Sequence, residues 1–317
     1  MSTAALEIRG VPTKDALFHQ ILLATDLSGS SERALLAALE LADENHSQLT
    51  LVHVVNSDWR YEVLENPPEL ALEQVDVQKR LRAFADKLAP GRNIPSTLIK
   101  HGPVAQSIAS AALHQGADLV VIGTHGRRGL SKLALGSVAE ELLRIAPCPV
   151  MAVGPHATLG LQRNRSHAIL YATDFGKGSM KALPLALSLA TARRAKLILL
   201  HMMTPMPLNS NSMTAYAPTA AAVEDVQQWE SSARQRCLNE LKSCLPCGAG
   251  LEAEPEYVIG TDLFPEGILT AAEKFNVDLI VMGASHGGSA KMLAHIPWTA
   301  VHEVVRNAHC PVLTVAA

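Results

Sequence analysis

The chain is written twice. Ile21 to Ala42 reads ILLATDLSGSSERALLAALELA and Ile169 to Ala190 reads ILYATDFGKGSMKALPLALSLA, an offset of 148 with 12 identities in 22 positions and no gap. Later segments recur as well. Ala117-Asp118-Leu-Val-Val-Ile-Gly123 is echoed by Val277-Asp278-Leu-Ile-Val-Met-Gly283, and Ala146-Pro-Cys148-Pro-Val by Ala308-His-Cys310-Pro-Val. Similarity of this kind at one long period marks a duplicated unit, and 317 residues suit two domains of roughly 100–200 residues each. The stretch from Gly154 to Ser166 (GPHATLGLQRNRS) carries no apolar periodicity and reads as the connection. The expected division is a first domain over 1–155, a linker over 156–166 and a second domain over 167–317.

Within each copy, short apolar runs alternate with helical periodicity. In the first, strands are expected at Gln20–Ala24, Leu49–Val55, Ser96–Lys100, Leu119–Ile122 and Pro149–Val153. Helices are expected at Glu32–Asn45, Pro68–Leu88, Val104–His114 and Ser137–Ile145. Runs such as LVVI and ILLA are continuously apolar, as when helices cover both faces of a sheet. Aromatic residues make up only 4% of the chain, so Ala, Leu, Val and Ile must fill the core. Strict alternation of strand and helix predicts the α/β class, with a doubly wound parallel sheet in each copy. In such sheets ligands bind beyond the carboxyl ends of the strands, in the crevice where strand order reverses. The loops after the first and fourth strands are therefore where chemistry is sought.

Charge and cysteine content remove several classes. Twenty-seven basic side chains against 30 acidic ones give a net charge of −3, too even for a nucleic-acid binder. The N-terminus carries Glu7, Arg9, Lys14 and Asp15 with no apolar segment between them, unlike a secretory leader. The long uncharged stretch from Met202 to Val223 holds Pro205, Pro207 and Pro218 and reads as a loop, not a membrane span. Five cysteines, an odd number, suit reduced thiols in the cytoplasm. Cys244-Leu-Pro-Cys247 has redox spacing, but it follows a helical stretch instead of opening one, where the dipole would lower a thiol pKa. No metal site is expected, and His295, His302 and His309 cannot share the one short helix predicted there. His53 and His201, at matching strand ends, are expected to be hydrogen-bonded structural histidines. Met202, Met203, Met206 and Met213 are expected in a loop, packing against a neighbouring domain.

The first strand ends in Ala24-Thr25-Asp26. A carboxylate there either caps the following turn through a local backbone bond or meets a ribose hydroxyl, a base amino group or a cation; the two roles are compatible. The fourth strand runs into Gly123-Thr124-His125-Gly126-Arg127-Arg128-Gly129, and a helix then opens at Gly136-Ser137-Val138. Gly123 and Gly126 allow a sharp turn and close approach of the backbone to a ligand. Gly136 and Ser137 put free amides and a hydroxyl at a helix N-terminus, which favours anions. Arg127, Arg128 and Lys132 add positive charge. The same residues would also serve a surface loop with a serine-capped helix. The spacing matches neither G-x-x-x-x-G-K-[ST], G-x-G-x-x-G nor G-x-S-x-G.

Gly123-x2-Gly126-x9-Gly136-Ser137, followed by the Ala-Pro-Cys-Pro-Val strand, resembles the universal stress protein family in its ATP-binding branch. The resemblance covers both copies and nearly the whole chain. It implies five parallel strands per domain in the order 3-2-1-4-5, ATP at the carboxyl edge with or without Mg, and pairing of domains through their fifth strands. It places the positions matching Ala24 and Asp26 beside the nucleotide and Val54 against the adenine through its backbone. Gly123, Thr124, His125, Gly126, Arg127, Arg128, Gly129, Gly136, Ser137 and Val138 then hold ribose and phosphates. Internal domain pairing and a homodimer of the tandem chain are further expectations.

The second copy departs from this pattern. Asp174 matches Asp26 and Gly283 matches Gly123, but Trp298 and Thr299 stand where Gly136 and Ser137 stand in the first, with Pro297 just ahead. Gly287 and Gly288 are out of step, and Lys291 is the basic residue left in that loop. The second copy is therefore expected to bind ATP weakly or not at all. The function expected is nucleotide-dependent regulation in a stress response. The alternatives are a slow ATPase, with His125 as its candidate base, or an interaction scaffold that binds no nucleotide.

Overall fold

The structure, a computed structural model, describes residues 17–55, 68–90, 96–124, 135–159, 167–203, 220–246, 248–262, 264–284 and 298–316. Its first half runs β1 (Gln20–Ala24), α1 (Gly29–Asn45), β2 (Gln48–Val55), α2 (Pro68–Leu88), β3 (Ser96–His101), α3 (Val104–Gln115), β4 (Leu119–Gly123), α4 (Ser137–Ile145) and β5 (Val150–Val153). The second half runs β6 (Ala168–Thr173), α5 (Lys177–Arg193), β7 (Lys196–Met202), α6 (Ala220–Ser243), β8 (Glu256–Gly260), α7 (Glu266–Lys274), β9 (Leu279–Ala284), α8 (Trp298–Asn307) and β10 (Val312–Ala316).

The strands form one ten-stranded sheet in the order β3-β2-β1-β4-β5-β10-β9-β6-β7-β8. Each half has the order 3-2-1-4-5 and is parallel throughout. The seam between the halves is antiparallel: Val312 lies opposite Ala152, Leu313 opposite Met151 and Thr314 opposite Val150. Thr314 Oγ1 donates to the Val150 carbonyl at 3.2 Å. The pairing hides two edges that would otherwise present unpaired amides and carbonyls. Around it, Thr158 N–H donates to the His309 carbonyl at 2.6 Å, and the Arg33 guanidinium donates to the Pro155 carbonyl.

Alternating side chains feed two apolar layers, one on each face. Leu22, Val52 and Ile122 point into the layer under α3 and α4, which continues through Val304 and Val312 into the second domain. Ile21, Leu23 and Leu51 point into the layer under α1, which continues through Met151, Leu313 and Val281. The strand starts are pinned by the Asp that precedes each fourth strand. Asp118 accepts from the amides of His19 at 2.7 Å and Gln20 at 3.1 Å, and Asp278 accepts from Ala168 N–H at 2.9 Å.

Two expectations are corrected. The helix predicted from Glu32 begins at Gly29, because Ser28, with an extended backbone, is already drawn into the turn by Asp26. Met202 is not in a loop: it is the last residue of β7 and 4% exposed, and Met203 after it is 7% exposed. The Met202 thioether lies across Gly260 and Gly267, with Sδ 2.5 Å from where a Cβ on Gly260 would stand. It packs inside its own domain. Met206 and Met213 lie outside the described residues.

Candidate functional site

Three neighbouring strands carry the first-domain candidates to one edge. Ala24 ends β1 and is level with Val52 on one side and Ile122 on the other, while Val54 is the penultimate residue of β2 and Gly123 the last of β4. Ala24 and Val54 are each 9% exposed and belong to the apolar layer under α3 and α4. Asp26 lies two residues beyond β1 and is half-buried.

Asp26 organises the turn into α1. Its Oδ1 accepts from Ser28 N–H at 2.9 Å and from the Ser31 hydroxyl at 2.7 Å. Thr25 Oγ1 accepts from Leu27 N–H at 3.0 Å, which holds Leu27 at a φ of 64°. The His53 ring, through Nδ1 at 2.7 Å, donates to the Thr25 carbonyl. The capping role weighed for Asp26 is thus present, and His53 is hydrogen-bonded as expected. Sequence reasoning passed over Ser31, although it is one of the 12 identities in the repeat and is 4% exposed.

The other wall comes from β4 and α4. A Cβ on Gly123 would stand 3.0 Å from the Ser30 carbonyl carbon and oxygen. A Cβ on Gly136 would stand 3.0 Å from the Thr124 carbonyl oxygen, which accepts from Gly136 N–H at 2.9 Å. Neither glycine has an unusual φ among the backbone exceptions; what each supplies is closeness. Thr124 is fully buried, Ser137 is exposed and Val138 half-buried. As N-cap of α4, Gly136 brings no side-chain acceptor to the first-turn amides. The turn at Asp26, the end of β4 and the start of α4 therefore converge on the crevice between β1 and β4. His125, Gly126, Arg127, Arg128 and Gly129 lie outside the described residues.

The second domain repeats one wall and alters the other. Asp174 Oδ1 accepts from Gly176 N–H at 2.8 Å and from the Ser179 hydroxyl at 2.5 Å, and Phe175, at a φ of 58°, takes the left-handed conformation that Leu27 takes in the first copy. The His201 ring donates to the Thr173 carbonyl at 2.9 Å and lies 4.3 Å, centre to centre, from the Phe175 ring. Burial lowers the pKa of His201 from the usual imidazole value, favouring the neutral ring; the Thr173 carbonyl, Glu240 and Asp174 act in the opposite direction. At Gly283 a Cβ would stand 2.2 Å from the Gly178 carbonyl, so α5 presses closer to its strand than α1 does. Trp298, at the position of Gly136, is the first residue of α8 itself. Gly287, Gly288, Lys291 and Pro297 lie outside the described residues.

Burial pushes Cys148 up to about 11 and Cys310 up to about 12, and burial also raises Cys244. Cys247 lies outside the described residues. Among the described residues no group of three His, Cys, Asp or Glu side chains could hold a metal ion, and no helix is long and apolar enough to cross a membrane.

Comparison with known proteins agrees with this architecture. The model of the universal stress protein family matches twice, over residues 17–154 and 166–316. The chain is similar to the Bacillus subtilis universal stress protein YxiE, 30% identical over 147 residues that span 43% of this chain and 99% of that protein. It is likewise similar to universal stress protein A homolog 1 of Coxiella burnetii, 36% identical over 141 residues, 43% of this chain and 96% of that one. Among solved structures, a universal stress protein from Archaeoglobus fulgidus superposes with a TM-score of 0.63 at 19% identity, covering 94% of this chain and 96% of its own. At that identity the likeness concerns the fold.

Proposed function

The chain belongs to the universal stress protein family, and from that premise we propose that its first domain binds ATP and acts as a nucleotide-dependent regulatory module. The observation that carries this reading is the close packing at Gly136. A Cβ there would stand 3.0 Å from the Thr124 carbonyl oxygen, tighter than ordinary contact, and α4 starts there without a side-chain cap. First-turn amides and the positive end of the helix dipole are suited to phosphate oxygens. The arginines Arg127 and Arg128, three and four residues after Thr124 in the sequence, would add charge to that end.

Asp26 suits a different part of the ligand. Like charges repel, so a carboxylate is a poor phosphate neighbour. Its Oδ1 already holds the turn to α1, which fixes its position for a ribose hydroxyl or a base amino group. The backbone at Val54, on the adjoining strand end, is available to the adenine edge. ATP then regulates only to the extent that it binds one conformation more tightly than another. In this reading the second domain binds ATP weakly or not at all, since the Gly-Ser start of α4 is replaced there by Trp298-Thr299. Its role is to complete the sheet, supplying from the same chain the pairing partner for β5.

The test is direct. Purified protein is denatured and its supernatant analysed by mass spectrometry, with calorimetric titration of the nucleotide-free protein beside it. Released ATP, or saturable heat on adding ATP, supports the reading. ADP that accumulates with time would move it to slow hydrolysis, and neither nucleotide nor heat would overturn it in favour of a scaffold.

A further inference from the structure

Where the two domains meet, the C-terminal ends of α1 and α5 face each other across a cleft of about 40 Å³, room for one or two waters. The floor is apolar, built in part by Phe18, Leu41, Met151 and Leu313. The rim is ionic. Glu40 and Glu44 come from α1, four residues apart and so on one face of the helix. Arg193 reaches in from α5, and His167 and Asp278 from the starts of β6 and β9.

The charges pair unevenly. Arg193 Nε and Nη2 both donate to Glu44 Oε2, at 3.0 and 2.7 Å. His167 Nδ1 lies 3.7 Å from Asp278 Oδ2, which also accepts from Ala168 N–H. Glu40 makes no hydrogen bond or ion pair with another described residue. It is a half-buried carboxyl beside a like charge on its own helix and a second one, Asp278, across the domain boundary. Arg193 is already engaged with Glu44, and the His167 ring lies against Asp278.

We propose that Glu40 is a proton-responsive joint between the domains. With the carboxyl neutral, the cleft closes on its apolar floor. With it ionised, the uncompensated charge draws in water and loosens the β5–β10 seam beneath. Burial first, and then the Glu44 charge, raise the pKa of this carboxyl above its ordinary value, with Asp278 adding to them and Arg193 and His167 opposing. The folded protein thus holds this proton more tightly than the unfolded chain does. The stability it lends is fully present below the ordinary carboxylate value and is lost as pH rises through the raised one.

The experiment is thermal denaturation of the full chain and of Glu40→Gln between pH 5 and pH 8. It is joined by hydrogen exchange at the amides of Val150–Val153 and Val312–Thr314, compared between proteins at each pH. Glu40→Gln is expected to melt about 2 °C above the wild type at pH 8, with the difference shrinking toward pH 5 and the seam amides better protected at high pH. Glu40→Met, which removes the titrating group by a different side chain, is expected to flatten the pH dependence in the same way. A difference that stays constant across pH overturns the proposal. So does a pH-dependent difference with unchanged seam exchange, which would confine the effect to α1.

Discussion

Ser31 donates its hydroxyl proton to Asp26 Oδ1 across 2.7 Å, and Ser179 does the same for Asp174 across 2.5 Å. Both serines are buried, both sit five residues after the carboxylate, and each ties the loop after a first strand to the following helix. Ser31→Ala leaves a half-buried carboxylate short of a donor. A loss of about 2 kcal/mol is expected, since hydrogen bonds to charged groups contribute more than neutral ones, and urea denaturation reads it. If Asp26 is a ligand group as well, the same variant weakens ATP binding in calorimetry by loosening that carboxylate.

Gly136→Trp copies the second domain's residue into the first. A Cβ there would already stand 3.0 Å from the Thr124 carbonyl, so the start of α4 must move away from β4. ATP binding is expected to vanish while far-UV circular dichroism keeps its shape. Unchanged affinity would show that the start of α4 is not part of the site.

The seam separates burial from surface charge. Leu313 is 2% exposed opposite Met151, and Leu313→Ala is expected to cost about 2–5 kcal/mol through lost contacts and a cavity. Arg193→Ala removes the Glu44 pair, whose carboxylate is 36% exposed, and is expected to cost about 0.5 kcal/mol, less in high salt. A double-mutant cycle with Glu44→Gln isolates the pair. Equal costs at the two positions would mean that the seam rests on charge instead of packing.

His201 is expected to stay neutral to lower pH than an ordinary imidazole, because burial disfavours its charged form. Its depressed pKa means that the stability tied to the neutral ring is present above the ordinary imidazole value and is lost as pH falls through the folded one. Side-chain NMR titration checks the direction. A midpoint at or above the usual imidazole value would contradict the burial that the Phe175 contact helps to create.

The duplicated pattern made the architecture legible. Leu119 to Gly123 and Leu279 to Ala284 are apolar at every position up to their glycines, and such runs have few places to go except the middle of a covered sheet. Their order within each domain followed from resemblance. Pairings between distant residues were less accessible. Nothing local marks Asp118 as the acceptor for the amides of His19 and Gln20, since that contact exists only once β4 lies beside β1. Met202 was misplaced because the glycines that receive its thioether, Gly260 and Gly267, lie roughly 60 residues away. The Glu40 cleft needs six elements from two domains. For the site, Gly123 packs against Ser30 and Gly136 against Thr124, whereas Ser31 gives no local signal of its bond to Asp26, because a serine in the first turn of a helix looks like ordinary capping.

Because β5 and β10 run in opposite directions, every strand of the first domain points its carboxyl end one way and every strand of the second points the other. The crevice beside Asp26 and its counterpart beside Asp174 therefore open on opposite rims of the shared sheet. A ligand at one rim has no direct view of the other. A partner protein could cover either mouth and leave its opposite fully accessible, so the duplication yields two independently addressable faces and not one enlarged pocket.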